Sequence, residues 1–147
     1  MNKNDNFNDK GFEISRSDDY DCQTQADLYE YIMKDGYDLI DFSDRYLKSK
    51  FCNQEMDSVY SVFQREDPLQ ILDFVLPEIG ELKRTGERGY VDPWDLGYIY
   101  RYLHFMTGCS SADLVNKIDS RTMAKELNKR TDWNIEDIAD AVIKHYM

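Results

Sequence analysis

Arg101 and His104 stand about one helical turn apart inside the most apolar stretch of the chain, PWDLGYIYRYLHFMTG from Pro93 to Gly108. With Asp95 they break an otherwise greasy segment, and helical spacing is expected to gather the three on one narrow strip. A guanidinium among aromatic rings can stack on them and still donate several hydrogen bonds in a fixed fork, which suits a carboxylate or a phosphate. Arg101 could therefore anchor a ligand. The competing reading is a buried cation satisfied within the domain, because an unpaired buried charge costs several kcal/mol. That reading is preferred, with Asp57 or Glu78 as the expected partner.

Other chemistry-bearing residues are sparse. His104 and His145 lie far apart, and neither has a carboxylate or second histidine at metal spacing, so neither a general base nor a metal centre is expected. The cysteines Cys22, Cys52 and Cys109 are odd in number and form no CxxC, which argues against a disulfide framework and against structural zinc. Cys52 falls in an apolar stripe and reads as a packing residue. Cys109 precedes a helix start, where thiol acidity can fall, yet packing is again the expected role. A small enzyme built on Arg101, His104 and Tyr60 would need these side chains clustered in a solvent-open pocket. No catalytic residue, cofactor or metal is expected.

The 147 residues carry a formal net charge of −11, with 18 Lys and Arg against 29 Asp and Glu. Such a balance opposes binding to nucleic-acid phosphates or anionic membranes and suits a partner protein with a basic surface. The acidity is concentrated in the first two-thirds. An acidic cluster of Asp18, Asp19 and Asp21, continued by Asp27, Glu30, Asp35, Asp38, Asp41 and Asp44, could serve as a docking surface, although such runs are usually solvated faces. No calcium-loop pattern is present. No apolar run approaches a membrane span, and the opening MNKNDNFNDK lacks the core of a signal peptide, so a cytosolic protein is expected.

The elements that must position Arg101 are helices. The polar residues 1–22 are expected to be mobile, apart from a short extended piece at Phe12–Ile14. Residues 23–147 are expected to form one all-α domain, a compact bundle of six or seven helices around Pro93–Gly108. Helices are expected at 23–34 and at 37–50, then at 52–64, where Cys52, Met56, Val59, Tyr60 and Phe63 recur at helical spacing. Asp67-Pro68 starts another, carrying Leu69, Leu72, Phe74 or Val75, and Leu76 inward, and ending or kinking at Pro77. Residues 84–91 read as a loop. Asp92-Pro93 starts the central helix and Gly108 stops it. Ser110, Ser120 and Asn134 are expected to cap three shorter helices. Residues 110–130 also resemble a helix-turn-helix, with Lys125, Lys129 and Arg130 towards phosphates, but the short turn and local acidity favour two ordinary packed helices.

The runs YLKSKFCNQEMDSVYSVFQ, ILDFVLPEIG and DLGYIYRYLHFMTGCSSADLV occur in order within residues 37–115. In these blocks the chain resembles a group of small bacterial all-helical proteins associated with toxin–antitoxin-type loci. The resemblance marks Asp57, Tyr60, Ser61, Gln64, Pro77, Glu78, Tyr100, Arg101, Tyr102 and His104 as motif positions. The expected function is that of a non-enzymatic interaction protein, antitoxin-like or immunity-type, that neutralises a basic partner. Asp57, Tyr60, Gln64, Glu78, Tyr98, Arg101 and His104 are the candidate partner-binding residues. The alternative is a DNA-associated regulator using residues 110–130.

Overall fold

The computed structural model describes residues 14–59, 61, 67–84 and 91–147. These fold into seven α-helices: α1 (Arg16–Lys34), α2 (Leu39–Lys48), α3 (Pro68–Ile79), α4 (Pro93–Thr107), α5 (Ser111–Lys117), α6 (Ser120–Asn128) and α7 (Ile135–Tyr146). A π-helical turn, Cys52–Met56, stands between α2 and α3. The only extended pairing among the described residues is a single bridge between Tyr37 and Arg84. The all-α architecture around Pro93–Gly108 is as expected. Among the described residues no helix is long and apolar enough to cross a membrane.

Helix α4 is the axis of the bundle, buried continuously from Leu96 to Leu103. Asp92 caps it by accepting from Trp94 N and Asp95 N, Pro93 pre-sets its first turn, and Gly108 ends it at φ +76°. Its main neighbour is α1, and Gly97 explains how close the two come. A Cβ at Gly97 would lie 2.7 Å from the Gln25 carbonyl oxygen and 2.9 Å from Tyr29 Cγ. The backbone of α1 therefore occupies the space a side chain would need. Tyr29, Phe42 and Tyr46 fill the wedge between α1 and α2, the latter two rings stacked with centroids 5.3 Å apart and Tyr29 edge-on to both.

Several elements depart from the sequence reading. Residues 16–22 are helical: α1 begins at Arg16 under a Ser15 cap that accepts from Asp18 N, and only residues 1–13 of the segment expected to be mobile, Phe12 among them, lie outside the described residues. Asp18 and Asp19 suit the positive end of the helix, and Asp19 receives the Tyr98 hydroxyl from α4. No helix spans 52–64. The wide π turn closes with Asp57 N donating to Cys52 O at 2.8 Å, and Val59 beyond it is 81% exposed; Tyr60, Phe63 and Gln64 lie outside the described residues. Helix α3 continues past Pro77 to Gly80, since a proline in the last turn forfeits only one backbone bond. It buries Ile71, Leu72 and Val75 and leaves Leu69 and Phe74 exposed. Ser110 and Asn134 cap as expected, but Asp119 rather than Ser120 caps α6. Ser120 is buried, its hydroxyl donating to Ser43 Oγ and its N–H to Asp44. Of the loop expected at 84–91, Arg84 lies against the Tyr37 ring and Val91 is buried, while 85–90 lie outside the described residues.

The close helix crossing gives a direct expectation. Gly97→Ala must push the α1 backbone away from α4 and should cost about 1–3 kcal/mol, read as a lowered melting temperature by circular dichroism. An unchanged melting curve would mean that the crossing is looser than described.

Candidate functional site

Arg101 is the largest fully buried side chain among the described residues, 1% exposed. Each of its five N–H groups has an acceptor. Nε and Nη2 both donate to Gln25 Oε1, at 3.3 and 2.9 Å. Nη2 also reaches Cys52 Sγ at 3.3 Å and Ser111 Oγ at 3.4 Å. Nη1 donates to the Met56 carbonyl at 3.3 Å and to the Asp57 carboxylate. Of the two carboxylates expected, Asp57 is the partner.

The π turn makes this possible. It presents the Met56 carbonyl and the next side chain, Asp57, to the guanidinium together. Ser49 Oγ accepts from Cys52 N, and the Glu78 carboxylate accepts from Lys50 N and Phe51 N, so Glu78 serves the start of the turn rather than Arg101. Asp57 then does a second job. Its Oδ2 accepts from Ser111 N at 2.8 Å and its Oδ1 from Ser111 Oγ at 2.6 Å. Asn53 Oδ1 takes Ala112 N at 2.9 Å and Ser110 Oγ takes Asp113 N at 3.1 Å. The first three free N–H groups of α5 are thus all satisfied. Gln25 is oriented in turn by its Nε2, which donates to Gly97 O at 2.8 Å.

Burial alone would lower the Arg101 pKa, but the facing Asp57 carboxylate, which also accepts its hydrogen bond, holds it above its ordinary value. Burial pushes the Cys52 thiol up, and Arg101 only partly offsets this, so Cys52 stays a neutral acceptor rather than a nucleophile. His104 Nδ1 is 2.8 Å from the Cys109 carbonyl, an obligate acceptor, so Nδ1 carries the proton. It stands 3.8 Å from Asp57, at the edge of the cluster. Asp95 is not with them. Nine residues separate it from His104, two and a half turns, which puts it on the opposite side of α4.

Tyr98 is buried, its hydroxyl donating to Asp19. Burial, then that bond, pushes its pKa up. Among the candidate residues the structure therefore joins Asp57, Arg101 and His104, while Glu78 and Tyr98 stand apart; Tyr60 and Gln64 lie outside the described residues. Sequence reasoning missed Gln25, Asn53 and Ser111. Gln25 carried a signal: it interrupts the inward stripe of Cys22, Ala26 and Tyr29, and a polar residue at a core position needs a partner. Among the described residues there is no group of His, Cys, Asp and Glu that could hold a metal ion.

A second buried acid fixes the C-terminal helices. Glu126 is paired with Arg130 at 2.6 Å and Lys129 at 3.1 Å, and accepts from the Tyr146 hydroxyl at 2.8 Å. Two of the cations that a helix-turn-helix reading assigned to phosphates are therefore engaged by Glu126. Burial would raise the Glu126 pKa, but these three donors outweigh it and pull the group down to about 2.

No protein-family model, curated protein or solved structure is significantly similar to this chain.

Two outcomes follow from these clusters. Arg101→Leu should leave Asp57 buried without its cation and cost on the order of 3–5 kcal/mol, while Arg101→Lys should recover only part of this because a point charge cannot reproduce the fork. A melting temperature unmoved by Arg101→Leu would refute the structural role. Glu126 ionises more readily folded than unfolded, so its contribution is complete above its ordinary value near 4.5 and is lost as pH falls through about 2. With Lys129 largely exposed, that contribution should be about 2 kcal/mol. Glu126→Gln should flatten the stability profile between pH 4.5 and 2, as followed by urea titration at each pH.

Proposed function

We propose that this chain is a non-enzymatic interaction module of the cytosol that binds and neutralises a basic partner protein, as an antitoxin or immunity-type protein does. The observation that carries this reading is the closure of the Arg101 cluster. Every guanidinium donor is already used, the Asp57 side chain is 7% exposed, and the nearby thiol is neutral. The residues best suited by type to bind a ligand are thus committed to holding the bundle together, and function falls to the outer surface. That surface belongs to a chain of net charge −11, which favours encounter with a cationic protein over one with a phosphate backbone. Engagement of Lys129 and Arg130 by Glu126 weighs against the DNA-binding alternative.

The test is co-expression with the protein encoded next to this gene. The two should co-purify, and the chain should rescue cells from its neighbour's toxicity. Their association rate should fall about tenfold or more between low and high salt. A chain that purifies alone and rescues nothing would overturn the reading.

A further inference from the structure

We propose that the basic partner docks on the face around Trp133, with an arginine-bearing segment laid against the indole ring. This builds on the reading of the chain as a binder of a basic protein and gives that binder a surface.

Trp133 lies between α6 and α7 and is 51% exposed. Exposure of a tryptophan in a flexible loop would mean little, but this one is held. Its backbone N–H donates to Arg130 O at 3.0 Å, and the Arg130 guanidinium carbon sits 5.3 Å from its ring centroid. Arg130 is itself fixed by Glu126 at 2.6 Å. The ring is therefore presented in a defined orientation, which lowers the ordering cost of binding. Grooves open on both sides of it. One of 640 Å³ runs along α7, and one of 400 Å³ runs towards the start of α4.

The walls of both grooves are acidic. Asp132, Asp137 and Asp140 line the first, and Asp92 and Asp95 the second. Asp132, Asp137 and Asp140 have no cationic partner among the described residues, and the positive charge of Arg130 is answered by Glu126. Lys144 is the one other ordinarily cationic side chain lining these two grooves. Burial, and then its neighbour Asp92, raise the Asp95 pKa. An apolar occupant would desolvate Asp132, Asp137 and Asp140 with no cation to pair them, and a phosphate would be repelled. A guanidinium answers both demands, stacking on the indole and pairing with the flanking aspartates. Tryptophan and arginine are also the residues that most often dominate the energy of protein interfaces.

The probe is a synthetic peptide of alternating arginine and leucine, with its glutamate-for-arginine counterpart as control, titrated into the full chain by calorimetry and tryptophan fluorescence. The arginine peptide should bind saturably and the glutamate peptide should not. Trp133→Ala and the pair Asp137→Asn with Asp140→Asn should each weaken binding at least tenfold at unchanged melting temperature, both sites being exposed. A separate groove between the end of α1 and α3 is lined by Asp35 and Asp73, and the pair Asp35→Asn with Asp73→Asn should leave binding unchanged. If the Trp133 and α7 variants bind as tightly as the parent, this surface is wrong while the basic-partner reading stands. If the parent binds neither peptide, the docking proposal fails, and rescue of cells from the neighbouring gene product decides the broader reading separately.

Discussion

A guanidinium keeps its proton in any folded protein, so a chain that buries one must bring it a carboxylate and enough acceptors for the remaining donors. This protein places that demand at the middle of its central helix and meets it from three separate parts of the sequence. Gln25 comes from α1, Cys52 and Met56 from the π turn, Asp57 from just beyond it, and Ser111 from the start of α5. Apolar contacts supply most of the driving force for collapse, but they are non-directional. The charge fixes which elements must meet, and at what register, because a helix displaced by one turn would leave donors empty.

The same arrangement explains why α1 and α4 are so close. Gln25 can reach both Arg101 Nη2 and Gly97 O only if the two helix backbones nearly touch, and Gly97 is what permits this. A polar bridge and a missing Cβ thus act as one device. Around it the aromatic residues fill space, and two of their buried hydroxyls reach across the fold, Tyr29 to Ser43 and Tyr100 to Ile118 O.

What the sequence made legible is what neighbours decide among themselves. Asp67-Pro68, Asp92-Pro93, Ser110, Asn134 and Gly108 all mark helix ends where expected, because each cap bonds groups two to four residues away. That Arg101 would be buried against an acid, Asp57 or Glu78, was also foreseeable, since a buried cation requires one. What escaped was decided across the fold. Glu78 was an equally good acid on paper but is drawn to two backbone N–H groups of the turn after α2. Ser120 looked like a cap but packs on Ser43, and Asp119 took its place. Residues 16–22 looked too polar for a helix, yet Asp19 there has a hydroxyl waiting on α4. The π turn had no local signature at all, because its extra width is stabilised by what it faces.

Helix α5 shows what such long-range satisfaction does to the order of assembly. Seven residues are too few to hold a helix in water, where the first turn alone is unfavourable. Two of its free amides are answered by side chains 54 and 59 residues earlier in the chain. As the chain leaves the ribosome, Asn53 and Asp57 emerge well before Ser111, and Arg101 arrives between them. The ion pair can therefore form first and leave a carboxylate oxygen waiting, so that α5 condenses onto a template already in place.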